Sequence, residues 1–277
     1  MYQPYWGLGE SPFRGNFDPR YFHQAPPQDE ALARLQFLVD ERRALGLLLG
    51  EAGSGKSLIL ETFGRQLGQV GRQRASVNLV GLGPREFLWL LCVRLGVEVS
   101  TEANELALFR ALCDHLIGNH YQQLTTVLLL DNADETRQEV RDYIVRLVET
   151  SVAQNISLVV VASAQNSTMS RLGRRLLELC ELRIDLESWE LDDTAAFIKQ
   201  SLAAAGRSTP LFSDSGILRL HELGGGIPRR VKQLADLALL AGAGQNLVQV
   251  EADTIEASFR ELGVVMGNLP ELAGAAG

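Results

Sequence analysis

The chain has 277 residues, enough for one large or two modest domains with a real core, and its 46% apolar and 22% charged residues are ordinary for a globular protein. A net charge of −8 argues against a broadly basic nucleic-acid-binding surface, leaving only local basic patches as a route to DNA. Three cysteines, odd in number and far apart in apolar surroundings, exclude a disulfide framework and a cysteine metal site.

The N-terminal MYQPYWGLGE lacks the basic and apolar regions of a signal peptide. No apolar run reaches the ~18 residues of a membrane span, so a cytoplasmic chain is expected, with recruitment to the inner membrane only through a partner. Pro12, Pro19, Pro26 and Pro27 exclude a regular helix over 1–27. Trp6, Phe13, Phe17, Tyr21 and Phe22 are too apolar for a disordered tail, and the segment reads as an extended N-terminal arm.

Asp29 is placed to cap a helix over 30–43, where Leu32, Leu35, Phe37 and Leu38 have helical spacing. A strand follows over Leu45–Leu49, then a glycine-rich turn, a helix to about Leu67 and a strand over Ala75–Val80. Pro84 opens a helix through Leu95, and a second helix runs over 102–117. Val127–Leu130 is a continuous apolar run, as in a strand buried on both faces. A helix over 136–151, a strand over Leu158–Ala162, a short helix near 167–178 and a strand over Leu182–Leu186 complete the alternation. Such alternation predicts an α/β fold with a mainly parallel, three-layer sheet. Beyond Asp192 four helical segments follow (192–205, 213–223, 227–241 and 252–262). The expected domains are therefore the arm at 1–27, an α/β core at 28–190, a smaller all-α helical lid at 191–262 and a flexible tail at 263–277.

The turn after the first strand reads GEAGSGKSL. Gly50, Gly55, Lys56 and Ser57 fit G-x-x-x-x-G-K-[ST] at every fixed position, the signature of a P-loop NTPase. Glycines let successive N–H groups of Gly50, Glu51, Ala52, Gly53, Ser54 and Gly55 face inward, and the helix running through Leu58 adds the positive end of its dipole. Lys56 would reach the β- and γ-phosphates of ATP, and the Ser57 hydroxyl would bind Mg²⁺. The aromatic arm then has two readings, packing on the domain surface or against the adenine.

A second metal carboxylate belongs at the tip of a downstream apolar strand, and Leu128–Leu130 delivers Asp131 there. Asn132 follows; its amide orients water but accepts no proton. Asp134 and Glu135 come within a turn, either as the working acid or as caps of the helix expected from Thr136. After Leu158–Ala162, Ser163 and Gln165 are candidates to position the attacking water. In GGGIPRR, Pro228 starts a helix with Arg229 in its first turn, where a cation needs an anionic partner, a nucleotide phosphate or a surface carboxylate. Arg171, Arg174 and Arg175 lie on the short helix, either as a solvated basic turn or as a source of an arginine finger for a neighbouring subunit.

Phosphate loop, strand-tip Asp, polar strand end and G-x-P-R helix, in that order, resemble AAA+ ATPases, and D-x-x-D-E resembles the strand tip of NACHT-type signalling ATPases. The opening YWGLGESPF, then EALARL, GEAGSGKS and GGIPR, is similar to the ExeA/GspA family of secretion-pathway ATPases, with the TniB/TnsC transposition ATPases as more distant relatives. The resemblance implies an oligomeric ATPase with ATP and Mg²⁺ as cofactors. Nucleotide binding and hydrolysis would drive assembly or remodelling of a protein partner in an envelope, secretion or pilus machine. A nucleotide switch with little hydrolysis and a DNA-transaction regulator are the alternatives. It carries over Lys56, Ser57, Asp131 and Arg229. Three departures matter. Asn132 stands where the family has Glu, which predicts slow turnover. Leu179 stands where a basic residue is common. The chain also stops before the transmembrane and peptidoglycan-binding regions of ExeA, so an envelope role would run through partners.

Overall fold

The computed structural model describes residues 2–13 and 23–266. These fall into two compact units, one gathering the described parts of Met1–Asn16 and Ser188–Gly277, the other Phe17–Glu187.

The chain opens with a one-turn helix α1 (Gln3–Trp6), against the expectation of none in this arm. Pro4 sits at the start of the turn, where its missing N–H and fixed φ do no harm, and Gly7 closes it at φ 66°. The same rule explains α2, which begins at Pro26 rather than after the proline pair and runs Pro26–Asp40 with Asp29 in its first turn instead of at the cap.

The α/β unit then follows the predicted alternation: β1 (Leu45–Gly50), α3 (Lys56–Gln69), β2 (Gln73–Asn78), α4 (Pro84–Arg94), α5 (Glu105–Tyr121), β3 (Thr126–Asp131), α6 (Gln138–Ala153), β4 (Leu158–Gln165), α7 (Arg174–Glu178) and β5 (Leu182–Leu186). The strands form one parallel sheet in the order β2-β3-β4-β1-β5. Both faces are covered. Leu128 and Leu130 of β3 join the core under α4, α5 and α6, while Val127 and Leu129 join the core under α2 and α3. This is why β3 and β4 are apolar without alternation. Gly46 admits the close approach of α2, since a Cβ there would lie 2.7 Å from a Leu38 methyl carbon. The short helix expected near 167–178 is split by Gly173, at φ 83°, into a 3₁₀ segment Asn166–Leu172 and α7.

The second unit is all-α: α8 (Leu191–Ala204), α9 (Asp214–Gly224), α10 (Pro228–Gly244) and α11 (Ala252–Met266). The arm is built into it. The Trp6 indole donates to the Leu239 carbonyl at 2.8 Å and packs on Gly242, while Phe13 meets the rings of Phe197 and Phe212. Tyr2 and Ser11 both hydrogen-bond to Asp236. Trp6 and Phe13 are thus spent on helix packing, while Tyr5 stays exposed; Phe17, Tyr21 and Phe22, read as part of the arm, lie outside the described residues, as does 267–277 of the tail.

Gly226 is the tightest point of this unit. It sits at φ +64°, and an added Cβ would stand 2.3 Å from the Trp189 carbonyl oxygen. The left-handed conformation costs an L residue about 1–2 kcal/mol and the forced backbone shift about 1–3 more. Gly226→Ala is therefore expected to destabilise the all-α unit by roughly 2–5 kcal/mol. A urea titration followed by tryptophan fluorescence reads this as a lower midpoint; an unchanged midpoint would show that the close approach is not needed.

Candidate functional site

β1 and β3 flank β4, so the topology brings three strand ends to one edge of the sheet. Gly50 pairs with Gln165, Asn78 with Asp131, and Leu130 with Ala162. In a parallel sheet this carboxyl edge is where ligands bind.

The glycine turn is shaped for close backbone approach. A Cβ on Gly50 would lie 2.8 Å from Ser54 Oγ and 3.1 Å from the Leu186 carbonyl. Gly53 and Gly55 adopt φ 91° and 105°, which L side chains rarely reach. α3 starts directly after Gly55, so its free N–H groups open into the turn. The Lys56 side chain folds back over it, its Nζ donating to the Gly50 and Glu51 carbonyls at 2.9 Å each. The ammonium thus lies in the turn, and the Lys56 residue as a whole is 7% exposed. Ser54 Oγ is buried without a hydrogen-bond partner. Ser57 and Leu58 are half-buried in the first turn of α3.

At the tip of β3 the Ser163 hydroxyl donates to Asp131 Oδ1 and accepts the Asn132 N–H at 2.9 Å. Ser163, read from sequence as a candidate to position water, is fully buried and committed to these two bonds. Asn132 sits in the left-handed region at φ 59°, a conformation Asn tolerates better than most residues. Its Nδ2 donates to Asn78 Oδ1 at 3.2 Å, and that oxygen also accepts the Val80 N–H at 3.1 Å. Asn78 was not singled out by sequence; a polar residue ending a strand is too common a signal.

Asp134 lies in a 3₁₀ turn, Ala133–Glu135, and is 3% exposed. Its Oδ2 accepts the Thr168 hydroxyl and the Gln165 N–H. Glu135 is exposed and accepts from Gln165 Nε2 at 3.3 Å. Neither acid caps the next helix. α6 starts at Gln138 with Arg137 at its cap and no side-chain cap bond, so the capping alternative for Asp134 and Glu135 fails.

The structure brings together Lys56, Asp131, Asn132 and Gln165 at one sheet edge. Arg229 belongs to the all-α unit, exposed in the first turn of α10 and without an ion pair among the described residues. Arg174 pairs with Glu178 at 2.7 Å, and Arg175 with Glu149 and Glu178. Arg171 has no ion pair among the described residues.

The donor set suits a nucleotide–magnesium complex. The glycine cradle and the buried ammonium suit an anion, and the Ser57 hydroxyl with the Asp131 carboxylate are hard oxygens. No cluster of three metal-binding His, Cys, Asp or Glu side chains occurs among the described residues. Mg²⁺ needs none, since it keeps several waters and takes one or two carboxylates with substrate phosphates. No helix of the described residues is long and apolar enough to cross a membrane.

Residues 39–172 match the model of a family described as AAA domain. The chain is 29% identical over 245 residues to general secretion pathway protein A of Aeromonas hydrophila, across 87% of this chain and 45% of that protein. It thus spans about half the length of the curated relative it matches. Among solved structures, Cdc6p from Pyrobaculum aerophilum superposes with a TM-score of 0.70 at 15% identity, over 92% of this chain and 74% of that one. The Aeropyrum pernix ORC1 protein, in complex with DNA, gives 0.64 at 16% identity over 91% and 70%. The Thermotoga maritima RuvB Holliday junction branch migration motor gives 0.55 at 13% identity over 94% and 76%. At these identities the likeness is one of fold. Residues 39–172 resemble an AAA domain, the parallel sheet and its helices have a P-loop fold of the AAA+ type, and over most of its length the chain resembles general secretion pathway protein A.

Proposed function

We propose that the chain is an ATPase, one that binds ATP with Mg²⁺ and hydrolyses it slowly. The observation that carries this reading is the meeting, at one sheet edge, of the buried Lys56 ammonium in its glycine cradle with the Ser163-oriented Asp131 carboxylate. Bound ATP·Mg²⁺ would supply the phosphoanhydride and the metal that offsets its charge. Gly50–Gly55 and Lys56 would hold the phosphates, Ser57 and Asp131 the metal. Gln165 and Asn132 would orient water. Asn132 accepts no proton, and Asp134 Oδ2 already takes two hydrogen bonds, so Asp134 serves as a positioning residue for the β4 tip. Arg229 is assigned the phosphate-reading role in the all-α unit. The likeness to general secretion pathway protein A supports a homo-oligomer acting on a protein partner of a secretion-type assembly, in or beside the cytoplasm.

A switch that binds ATP and scarcely hydrolyses it is the second reading, favoured by Asn132 and its bond to Asn78. Steady-state phosphate release separates the two: turnover above background in the unmodified chain supports the ATPase. Asn132→Glu restores a proton acceptor, and Asn78 can turn its amide to donate to it. General-base catalysis is worth about 10²–10⁴-fold, against a left-handed-backbone cost of about 1–2 kcal/mol. Phosphate release by Asn132→Glu is therefore expected to rise at least about threefold. No rise would show that the missing acid does not limit turnover.

A further inference from the structure

The N-terminal arm lies along one helix of its unit, α10, whose first turn carries Arg229. Tyr2 and Ser11, each 7% exposed, both donate to Asp236 Oδ1, the serine at 3.2 Å, and their own oxygens stand 2.9 Å apart. A turn further on, the Trp6 indole donates to the Leu239 carbonyl, and its ring packs where Gly242 has no Cβ. Past the helix end the Tyr5 hydroxyl donates to the Leu247 carbonyl at 2.7 Å. The arm's other side is fixed to the end of α8. There the Gly9 N–H donates to the Ala205 carbonyl at 2.9 Å, and Arg207 donates to the Trp6 carbonyl. The arm therefore bridges α8 and α10.

Asp236 follows Arg229 by two helical turns, so the two share a face of α10 and stand about 10 Å apart along its axis. α10 has no proline beyond its first position to bend it, so a displacement at Asp236 reaches Arg229 through a rigid element. The first turn itself has no side-chain cap bond, and Arg229 makes no ion pair among the described residues. What aims the arginine is then the body of the helix and whatever holds it. The buried face of α10 (Val231, Leu234 and Ala238) packs through apolar contacts, which carry no direction. Two hydroxyls on one half-buried carboxylate do carry direction, and they come from the arm.

We propose that the arm positions Arg229. Bridged between the end of α8 and the Asp236–Gly242 stretch of α10, it sets the orientation in which the first turn presents the guanidinium to the terminal phosphate of ATP. Tyr2, Trp6 and Ser11 act through the helix and not on the nucleotide. This rests on the reading of Arg229 as the residue that reads that phosphate.

Nucleotide discrimination by the full chain tests it. Calorimetric titration with ATP and with ADP, each with Mg²⁺, gives two affinities whose ratio is insensitive to a general loss of folded protein. Arg229→Ala is expected to lower the ATP-to-ADP ratio about tenfold. Tyr2→Phe combined with Ser11→Ala removes both donors to Asp236 and keeps the buried ring; it should lower the ratio about threefold. In the Arg229→Ala background the same pair of changes should lower it no further, since both act through one residue. Trp6→Phe, which loses the bond to the Leu239 carbonyl but keeps a ring, should behave as the pair does and carries the test if the pair does not fold by circular dichroism. The proposal is overturned if a folded arm variant keeps the ratio of the unmodified chain, or if the fall is as large without Arg229 as with it. An unchanged ratio in Arg229→Ala overturns instead the reading of Arg229 on which the proposal rests, so the two failures are told apart.

Discussion

Lys56→Ala is expected to weaken ATP binding about 100-fold or more, a loss of about 2.8 kcal/mol at 1.4 kcal/mol per tenfold. The ammonium is held in the glycine turn by the Gly50 and Glu51 carbonyls, so its charge is in place before a ligand arrives. A pre-placed cation costs little ordering on binding, and burial strengthens its attraction for phosphate relative to a solvated lysine. Alanine removes the charge and also leaves two carbonyls without their donor, so a modest loss of stability accompanies the binding defect. The two effects separate in one experiment: calorimetric titration of the folded variant with ATP reads affinity, and its thermal midpoint reads stability. Unchanged affinity would sink the assignment of the glycine turn to phosphate.

Much of this site was legible from spacing alone. Eight consecutive residues carry the glycine turn because its chemistry needs glycine at fixed backbone positions. Gly50 shows why, since even one carbon there would strike Ser54 and the Leu186 carbonyl. Asp131 was legible as the polar end of an unbroken apolar run, and that run is unbroken because both faces of the sheet are covered. What sits around Asp131 was harder to read. The role of Ser163 depends on a neighbouring strand in register, and a serine at a strand end looks the same whether it faces a ligand or braces a carboxylate. The Asn78–Asn132 bond joins residues 54 positions apart, through a pairing of β2 with β3 that periodicity does not reveal. The arm misled for a different reason. Proline forbids helix interiors but suits helix starts, and both Pro4 and Pro26 stand at starts. Trp6 and Phe13 announced burial correctly without naming what they pack against, which is the all-α unit.

Asp131→Asn isolates charge from shape. Asparagine keeps an oxygen that can accept the Ser163 hydroxyl, and Ser163 keeps its bond from the Asn132 N–H, so the strand tip should hold its form. What goes is the negative charge that, with the Ser57 hydroxyl, is proposed to hold Mg²⁺. A hard divalent cation bound through one or two carboxylates loses most of its protein-side attraction when one of them becomes neutral. Turnover is therefore expected to fall about 100-fold or more, a barrier increase of about 2.7 kcal/mol. Affinity for ATP in the absence of Mg²⁺ should stay close to that of the unmodified chain, because Lys56 and the glycine turn are untouched. Ser163→Ala makes the complementary change: it keeps the charge but removes the hydroxyl that orients it and leaves the Asn132 N–H unpaired. A smaller loss of turnover, about tenfold, should come with a lower thermal midpoint, since a buried orphan donor costs about 1–3 kcal/mol. Phosphate release measured across a magnesium titration distinguishes the two variants. Equal turnover in Asp131→Asn and the unmodified chain would remove Asp131 from the metal site and leave the β3 tip a purely structural junction.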